Sequence, residues 1–456
     1  MKNIVCGFLL FLLAFCLSAQ TSLPSTILKD TTLTKSASPY LVSSNMTINT
    51  GVKMTIEAGV EIKIAPNTLI TVKGTLLANG LPGDSIIFNS NNISNYWGCI
   101  IGQDGNLELY YVKLMNCKEA LNISGGDLIV FSHSRVTNIE PDLYMDCIAV
   151  HDAKKIFIEY SLIEGSGRAT TKSDAIDNDA VDSVWVHDNT IYNFSDDGVD
   201  IGTQTKYAHI YNNILHDVNY GITVGETSLA YLENNISYHN DGGIQVHNGS
   251  TIYCSNNTLY ANTVGIECFH SEQGTIQTGG NAIIKNTIFS NTTNDDIYKQ
   301  TSSNVSITYS ISNKLLFDGT GNLMDDPLLA DPGKGNFSLF SNSPCINTGR
   351  DTNDNPVNMG VLGLPILPAT QIVSHANPGE ASQLFPNPVS DMLKISNNHN
   401  LIEVNLFDIN GRLIKRFKST GESELSLNLH ELSNGIYLLK LISDNGLIEN
   451  RKVIKK

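Results

Sequence analysis

Five aspartates near the middle of the chain form two matched sets. Asp174 and Asp177 flank Ile176. Asp197 and Asp200 flank Val199 twenty-three residues further on, with Asp196 beside them. Carboxylate oxygens are hard, charged ligands, and a group of them selects a hard divalent cation, Ca2+ above all, which takes six to eight oxygens. Such a cation is a Lewis acid, and proton-transfer chemistry beside it needs a base. Arg168 and Lys206 flank the acidic stretch, and His247 lies further along. These three are the candidate catalytic bases. Asp174, Asp177, Asp196, Asp197 and Asp200 are the candidate metal ligands.

This chemistry requires an element that brings residues twenty-three apart into contact, and an internal repeat supplies one. Apolar residues at the centre of short strands recur at Ile148, Ile176, Val199, Ile222, Ile244, Ile266 and Ile297, with central steps of 23, 23, 22 and 22 residues. A second marker recurs about thirteen residues later and places Asn189, Asn213, Asn235, Asn257 and Asn286 at equivalent points. A period near 22 residues with two or three short strands per unit predicts one coil of a parallel β-helix, each strand pairing with its counterpart in the next coil. Adjacent coils then lie about 4.8 Å apart. The neighbours of an inward Ile face outward, so Asp177 and Asp200 stack on the outer face and Thr223, Gln245 and Glu267 continue their row. Asp174 and Asp197 form a second stack where the chain enters the strand. Two like charges about 5 Å apart repel by about 3 kcal/mol at an effective dielectric near 20. The asparagines read as a structural ladder at a bend, each amide satisfying backbone groups of the turn.

Composition sets the frame. Gly and Asn are abundant over 456 residues and amphipathic helical patterns are absent, which predicts an all-β chain of short strands and tight turns. The formal charge of −16 lies ahead of Phe385, since the segment from there on carries ten Lys and Arg against eight Asp and Glu. An acidic body argues against nucleic acid as a partner. Lys2, an apolar run from Ile4 to Leu17 and the small residues Ser18-Ala19 read as a secretory signal over 1–19. No other stretch reads as a transmembrane anchor. Of the remaining cysteines, Cys99, Cys117, Cys147, Cys254, Cys268 and Cys345, none forms a CxxC pair. Buried free thiols are therefore expected rather than a zinc site.

The coil pattern resembles the right-handed parallel β-helix proteins, the group of pectate lyases and other polysaccharide-processing enzymes. The resemblance implies a helix with caps over 20–365. Locally, Asp196-Asp197-Gly198-Val199-Asp200, with Asp174 one coil earlier, resembles the Asp-Asp-x-x-Asp calcium site of the family-nine pectate lyases. It implies Ca2+ on Asp174, Asp196, Asp197 and Asp200, with Asp177 assisting, and an acidic polysaccharide as substrate or ligand. That family places a lysine base about one and a half coils later, whereas the stretch from Tyr231 to His247 holds no Lys or Arg. His247 is the nearest substitute. Polysaccharide lyase, glycoside hydrolase on paired carboxylates and non-catalytic adhesive module all stay open.

After a linker over 366–383, the segment 384–456 carries Phe385-Pro386-Asn387-Pro388, Asp391, Asp408-Ile409-Asn410-Gly411-Arg412 and Asn434-Gly435-Ile436-Tyr437 in order. These motifs resemble the C-terminal sorting domain of the type IX secretion system. They imply a small β-sandwich, the secretion machinery as a partner, and export through the outer membrane to the cell surface or the medium.

Overall fold

The computed structural model describes residues 20–92, 94–141, 145–167, 172–271, 276, 278–367, 382–396, 401–408, 413–419, 424–443 and 448–456. The signal sequence, Arg168 and the 409–412 turn lie outside the described residues. Strand follows strand in threes. Each strand of a coil pairs in parallel with its counterparts in the coils before and after, giving sheets of 14, 12 and 12 strands among the described residues. The register matches the repeat: Ile148 faces Ile176, Val199 faces Ile222, and Ile244, Ile266 and Ile297 follow. One period is therefore one coil.

Alternation along each strand explains why these segments fold this way. Ile176, Val199, Ile222 and Ile266 are fully buried, as are Val150, Ile201, Val224 and Val246 two residues further along their strands. Stacked β-branched side chains fill the interior, while the residues between them face outward. Asn178 interrupts the second inward row. It is fully buried between Val150 and Ile201, and neither of its amide atoms has a hydrogen-bond partner among the described residues.

The Asn-Asn pairs divide their labour. The first member sits at positive φ (Asn212 57°, Asn234 60°, Asn256 55°), the left-handed conformation that asparagine tolerates best after glycine. The second forms a buried ladder. Oδ1 of Asn213 accepts the Asn189 N–H at 3.1 Å, Asn235 accepts from Asn213 at 3.0 Å, and Asn257 accepts from Asn235 at 2.9 Å. Serines extend it, since Ser161 N donates to Asn189 and Ser134 N to Ser161 Oγ. Asn286 departs from the expected register. Lys285 pairs with Ser255 and φ at Asn286 is 53°, so Asn286 belongs to the left-handed row, one position short of the ladder. Its amide instead holds the backbone of Arg350, accepting the N–H at 2.9 Å and donating to the carbonyl at 2.8 Å.

Residues 347–362 belong to the same compact unit as the coils. A second unit comprises 326–346 and 363–456. Its antiparallel sheets join 383–385, 392–396 and 424–428 in one group and 401–408, 413–418, 435–443 and 448–455 in another. Leu393, Ile395, Val404, Leu406, Leu439 and Leu441 form its core. The six cysteines among the described residues are free and buried.

Candidate functional site

The acidic residues meet on one outer face. Its strands are Ile148–His151, Ile176–Asp179, Val199–Ile201, Tyr220–Val224, Gly242–His247 and Val264–Phe269. Asp177 stands opposite Asp200, and Thr223, Gln245 and Glu267 continue the row, one per coil. A second row runs where the chain enters these strands. Oδ1 of Asp146 accepts the Asp174 N–H at 2.8 Å, Oδ1 of Asp174 accepts the Asp197 N–H at 2.7 Å, and Oδ1 of Asp197 accepts the Tyr220 N–H at 3.0 Å. The Thr223 hydroxyl donates to Oδ2 of Asp197 at 2.5 Å. Sequence reasoning missed Asp146 because the step from it to Asp174 is 28 residues, lengthened by the loop that contains Arg168.

The two rows converge. Asp174, Asp177 and Asp200 present oxygens within 4.8 Å of one another, and so do Asp174, Asp196 and Asp197. Asp174 belongs to both groups. Burial, with the neighbouring Asp200 and Asp197 charges, pushes the Asp174 carboxyl far above the usual range. Asp200 is driven the same way by burial and by Asp197 and Asp177. Burial also raises Asp197, against the Thr223 hydrogen bond, and pushes Asp177 up to about 7, helped by Asp179. Cationic compensation is thin: the exposed Lys172 ammonium lies 3.7 Å from Asp196. Lys206 is turned away and pairs with Asp182 at 2.5 Å. The donor set is all oxygen, part-buried and over-charged, which fits a Ca2+ ion and no soft metal.

Beside these rows lies another that sequence reasoning did not single out. His151 stands opposite Asp179, with Nδ1 3.5 Å from Asp179 Oδ2. His151, Asp177 and Asp179 form a third group of convergent ligand atoms. The signal was available, because Asp177 and Asp179 share a face by simple alternation. His247 lies on the same sheet, opposite Phe269, its ring centroid 5.2 Å from that of Phe269. Burial lowers its pKa, opposed by Glu226. The Tyr220 ring covers the backbone at Gly242, and its hydroxyl donates to Glu267. The other His-Asp pairs are held in hydrogen-bonded and stacked arrangements away from this face. His187 bonds Asp188 and Glu159 and stacks on Tyr211, and His216 bonds Asp217 between Tyr192 and Tyr238.

Comparison with known proteins agrees with this architecture. Residues 147–281 match the family model described as the right-handed β-helix region, and residues 383–456 match the secretion system C-terminal sorting domain. The chain is a right-handed β-helix carrying a C-terminal type IX sorting domain. The sorting domain marks it for export to the cell surface or for secretion. Among solved structures, the β-helix chain is similar to the periplasmic alginate epimerase AlgG, with 12% identity and a TM-score of 0.42 over 59% of this chain and 78% of that one. It is similar to pectate lyase Pel9A, with 13% identity and a TM-score of 0.37 over 74% and 97%. It is also similar to a tailspike protein mutant of E. coli bacteriophage HK620, with 9% identity and a TM-score of 0.40 over 95% and 85%. Protein bark beetle of Drosophila melanogaster is 39% identical over 71 residues, or 15% of this chain. The chain spans 2% of the length of that relative. No helix among the described residues is long and apolar enough to cross a membrane.

Proposed function

We propose that this exported β-helix binds an acidic polysaccharide along the face bearing Asp177 and Asp200, through Ca2+ held by Asp174, Asp177, Asp196, Asp197 and Asp200, and cleaves it by β-elimination. One observation carries the reading: carboxylates from successive coils converge within 4.8 Å, and among the described residues Lys172 is the one Lys or Arg paired with them. Leaving such a group uncompensated costs several kcal/mol of repulsion, and a divalent cation removes that cost. When bound, the cation would draw electron density from a uronate carboxylate and acidify the adjacent C–H.

The chain's own residues position the rest. Asp197 is fixed by Tyr220 N–H and the Thr223 hydroxyl, and Asp174 by Asp197 N–H. Thr223, Gln245 and Glu267 line the path away from the cluster, and the flat Tyr220 ring offers a surface beside it. A second reading, a non-catalytic adhesive module with the same cation, is favoured by one fact: no arginine or lysine but Lys172 pairs with the acidic cluster among the described residues.

Calorimetric titration with Ca2+, followed by incubation with polygalacturonate and alginate, tests both readings. The lyase reading expects chelator-sensitive growth of absorbance from an unsaturated product. The adhesive reading expects chelator-sensitive retention on the polymer without product. Absence of Ca2+ binding would falsify both.

A further inference from the structure

A different sheet carries an outward row of rings that the acidic face does not use. Its strands are Lys155–Glu159, Ser183–His187, Ala208–Tyr211, Leu229–Glu233 and Thr251–Ser255. The inward residues of these strands are buried, as Ile156, Ile158, Val184, Val186, Leu232 and Ile252 show. Between the inward positions Phe157, Trp185, His209, Tyr231 and Tyr253 face outward, one per coil. Alternation puts them on the side of the sheet away from the core, so packing of the interior does not call for them. Tyr253 is 42% exposed.

The rings form one file. Phe157 and Trp185 lie parallel with centroids 4.7 Å apart, and Tyr231 and Tyr253 nearly so at 5.1 Å. Tyr207, just ahead of its strand, joins the two pairs, 5.9 Å from Trp185 and 5.6 Å from Tyr231. It is tilted 53° and 40° to them, so it stacks flat on neither and wedges open along the file. Four coil spacings of about 4.8 Å make the file about 19 Å long. A polar row runs beside it, two residues further along each strand: Glu159, His187, Tyr211, Glu233 and Ser255. His209 Nε2 lies 2.8 Å from Glu233 Oε2, and the Ser255 hydroxyl donates to Glu233 Oε1 at 3.4 Å. Tyr211, Glu233, Ser255 and Leu362 line an open groove of about 300 Å3 at the edge of this row. The two rows together hold two glutamates and no Lys or Arg.

We infer that this face is a second carbohydrate-binding site, and that its ligand is a neutral polysaccharide laid along the axis of the coils. A sugar ring has an apolar C–H face and a rim of hydroxyls, and aromatic rings with polar tips match both. The file offers one ring per coil, and the row beside it one hydrogen-bonding group per coil. A linear ligand that repeats the same two features is a glycan chain. Charge decides which kind. The His209 hydrogen bond holds the Glu233 carboxyl below the usual carboxylate range, so it stays ionised. Glu159 and Glu233 repel a polyuronate, and neither row has a Lys or Arg to hold one. Neutral hydroxyls, by contrast, donate to carboxylates in strong charge-assisted hydrogen bonds. The inference is independent of the Ca2+ reading, because the two faces share no residue.

Trp185 makes the site readable. The chain has two tryptophans, and Trp97 is fully buried, its Nε1 donating to the Met115 carbonyl at 2.9 Å. A change in emission on adding a sugar therefore reports on Trp185.

The test titrates the full chain, in chelator, with cellohexaose, mannohexaose and xylohexaose, following tryptophan emission and calorimetric heat. At least one hexaose binds wild type with a saturable change in emission. Tyr231→Ala/Tyr253→Ala weakens that binding about tenfold or more, the worth of two aromatic contacts. An unchanged circular dichroism spectrum shows that this variant is folded. Tyr253→Phe, which keeps the ring, retains most of the affinity. Asp197→Ala/Asp200→Ala binds the same hexaose as tightly as wild type. Failure of all three hexaoses to bind overturns the inference, and so does undiminished binding by the double tyrosine variant. Loss of binding in the aspartate variant overturns it too, since the sugar would then lie on the acidic face.

Discussion

Two polar ladders climb the same coils, and their residues differ by one atom. Asn189, Asn213, Asn235 and Asn257 each accept or donate between coils, and each amide also gives an N–H to a backbone carbonyl, as Asn213 does to Val186 at 2.8 Å. An amide has both donors and acceptors, so the stack closes on itself at no net charge. Asp146, Asp174 and Asp197 perform a similar capping task, each accepting one backbone N–H from the coil that follows. A carboxylate only accepts, however, and the row meets Asp177, Asp196 and Asp200 instead of donors. Asparagine in the acidic row would cap the same N–H groups without the repulsion that raises Asp174 and Asp200. Capping therefore explains the position of the acidic ladder but not its charge. The charge is what the proposed cation would answer.

Removing the charge breaks the comparison most severely. Asp197→Ala/Asp200→Ala takes one ligand from the ladder and one from the outward row. Calorimetry should show Ca2+ affinity falling on the order of a hundredfold or more, because charge count sets affinity in oxygen sites. The thermal shift that Ca2+ gives wild type should vanish. If both proteins respond equally to Ca2+, the acidic ladder is only a solvated edge.

The coils were legible from the sequence because their signal is redundant. The Ile and Val positions and the Asn pairs repeat with one period, and the observed register follows the first marker from Ile148 to Ile297. What the period alone does not reveal is where it is interrupted. The 28-residue step before Asp174 hid Asp146, and a one-residue difference put Asn286 in the wrong row. In the site, Asp177 facing Asp200 followed from alternation and spacing alone. Asp179 and His151 were passed over, although the same alternation places them on the face with Asp177. Lys206 illustrates a different limit. Proximity in sequence said nothing about the direction of a long flexible side chain, which the ion pair with Asp182 draws elsewhere. Nor does spacing show that the Asp179 carboxylate lies over Gly202 and the His247 imidazole over Gly225, which depends on steric room.

The neutral ladder can be broken in turn. Asn213→Ala leaves the buried Asn189 N–H and the Val186 carbonyl without their side-chain partner. Each buried group left unpaired costs about 1–3 kcal/mol, so a loss of about 2–4 kcal/mol is expected in urea unfolding followed by tryptophan fluorescence. Ca2+ affinity should not change. Destabilisation without loss of cation binding here, set against loss of cation binding in the aspartate variant, would show that the two ladders serve separate ends.

The smallest effect separates them most finely. Asp177 makes no side-chain hydrogen bond among the described residues, and burial with Asp179 holds its carboxyl near 7, against an ordinary value near 4. The folded state thus keeps a proton that the unfolded chain gives up. Stability from this group is fully present below about pH 4 and is lost as pH rises through about 7. Metal-free protein should accordingly be less stable at pH 8 than at pH 5. Asp177→Asn should flatten that slope by about 1 kcal/mol, since its part-exposed position lets solvent screen the repulsion. Ca2+ should restore wild type at pH 8 and do less for the variant, because the ion acts on the charge that the amide lacks. A slope that Asp177→Asn leaves intact would remove Asp177 from the charged group and confine the cation to Asp174, Asp196, Asp197 and Asp200. An amide that stabilises the metal-free chain while weakening its hold on Ca2+ would make Asp177, which caps nothing, a residue kept for the cation alone.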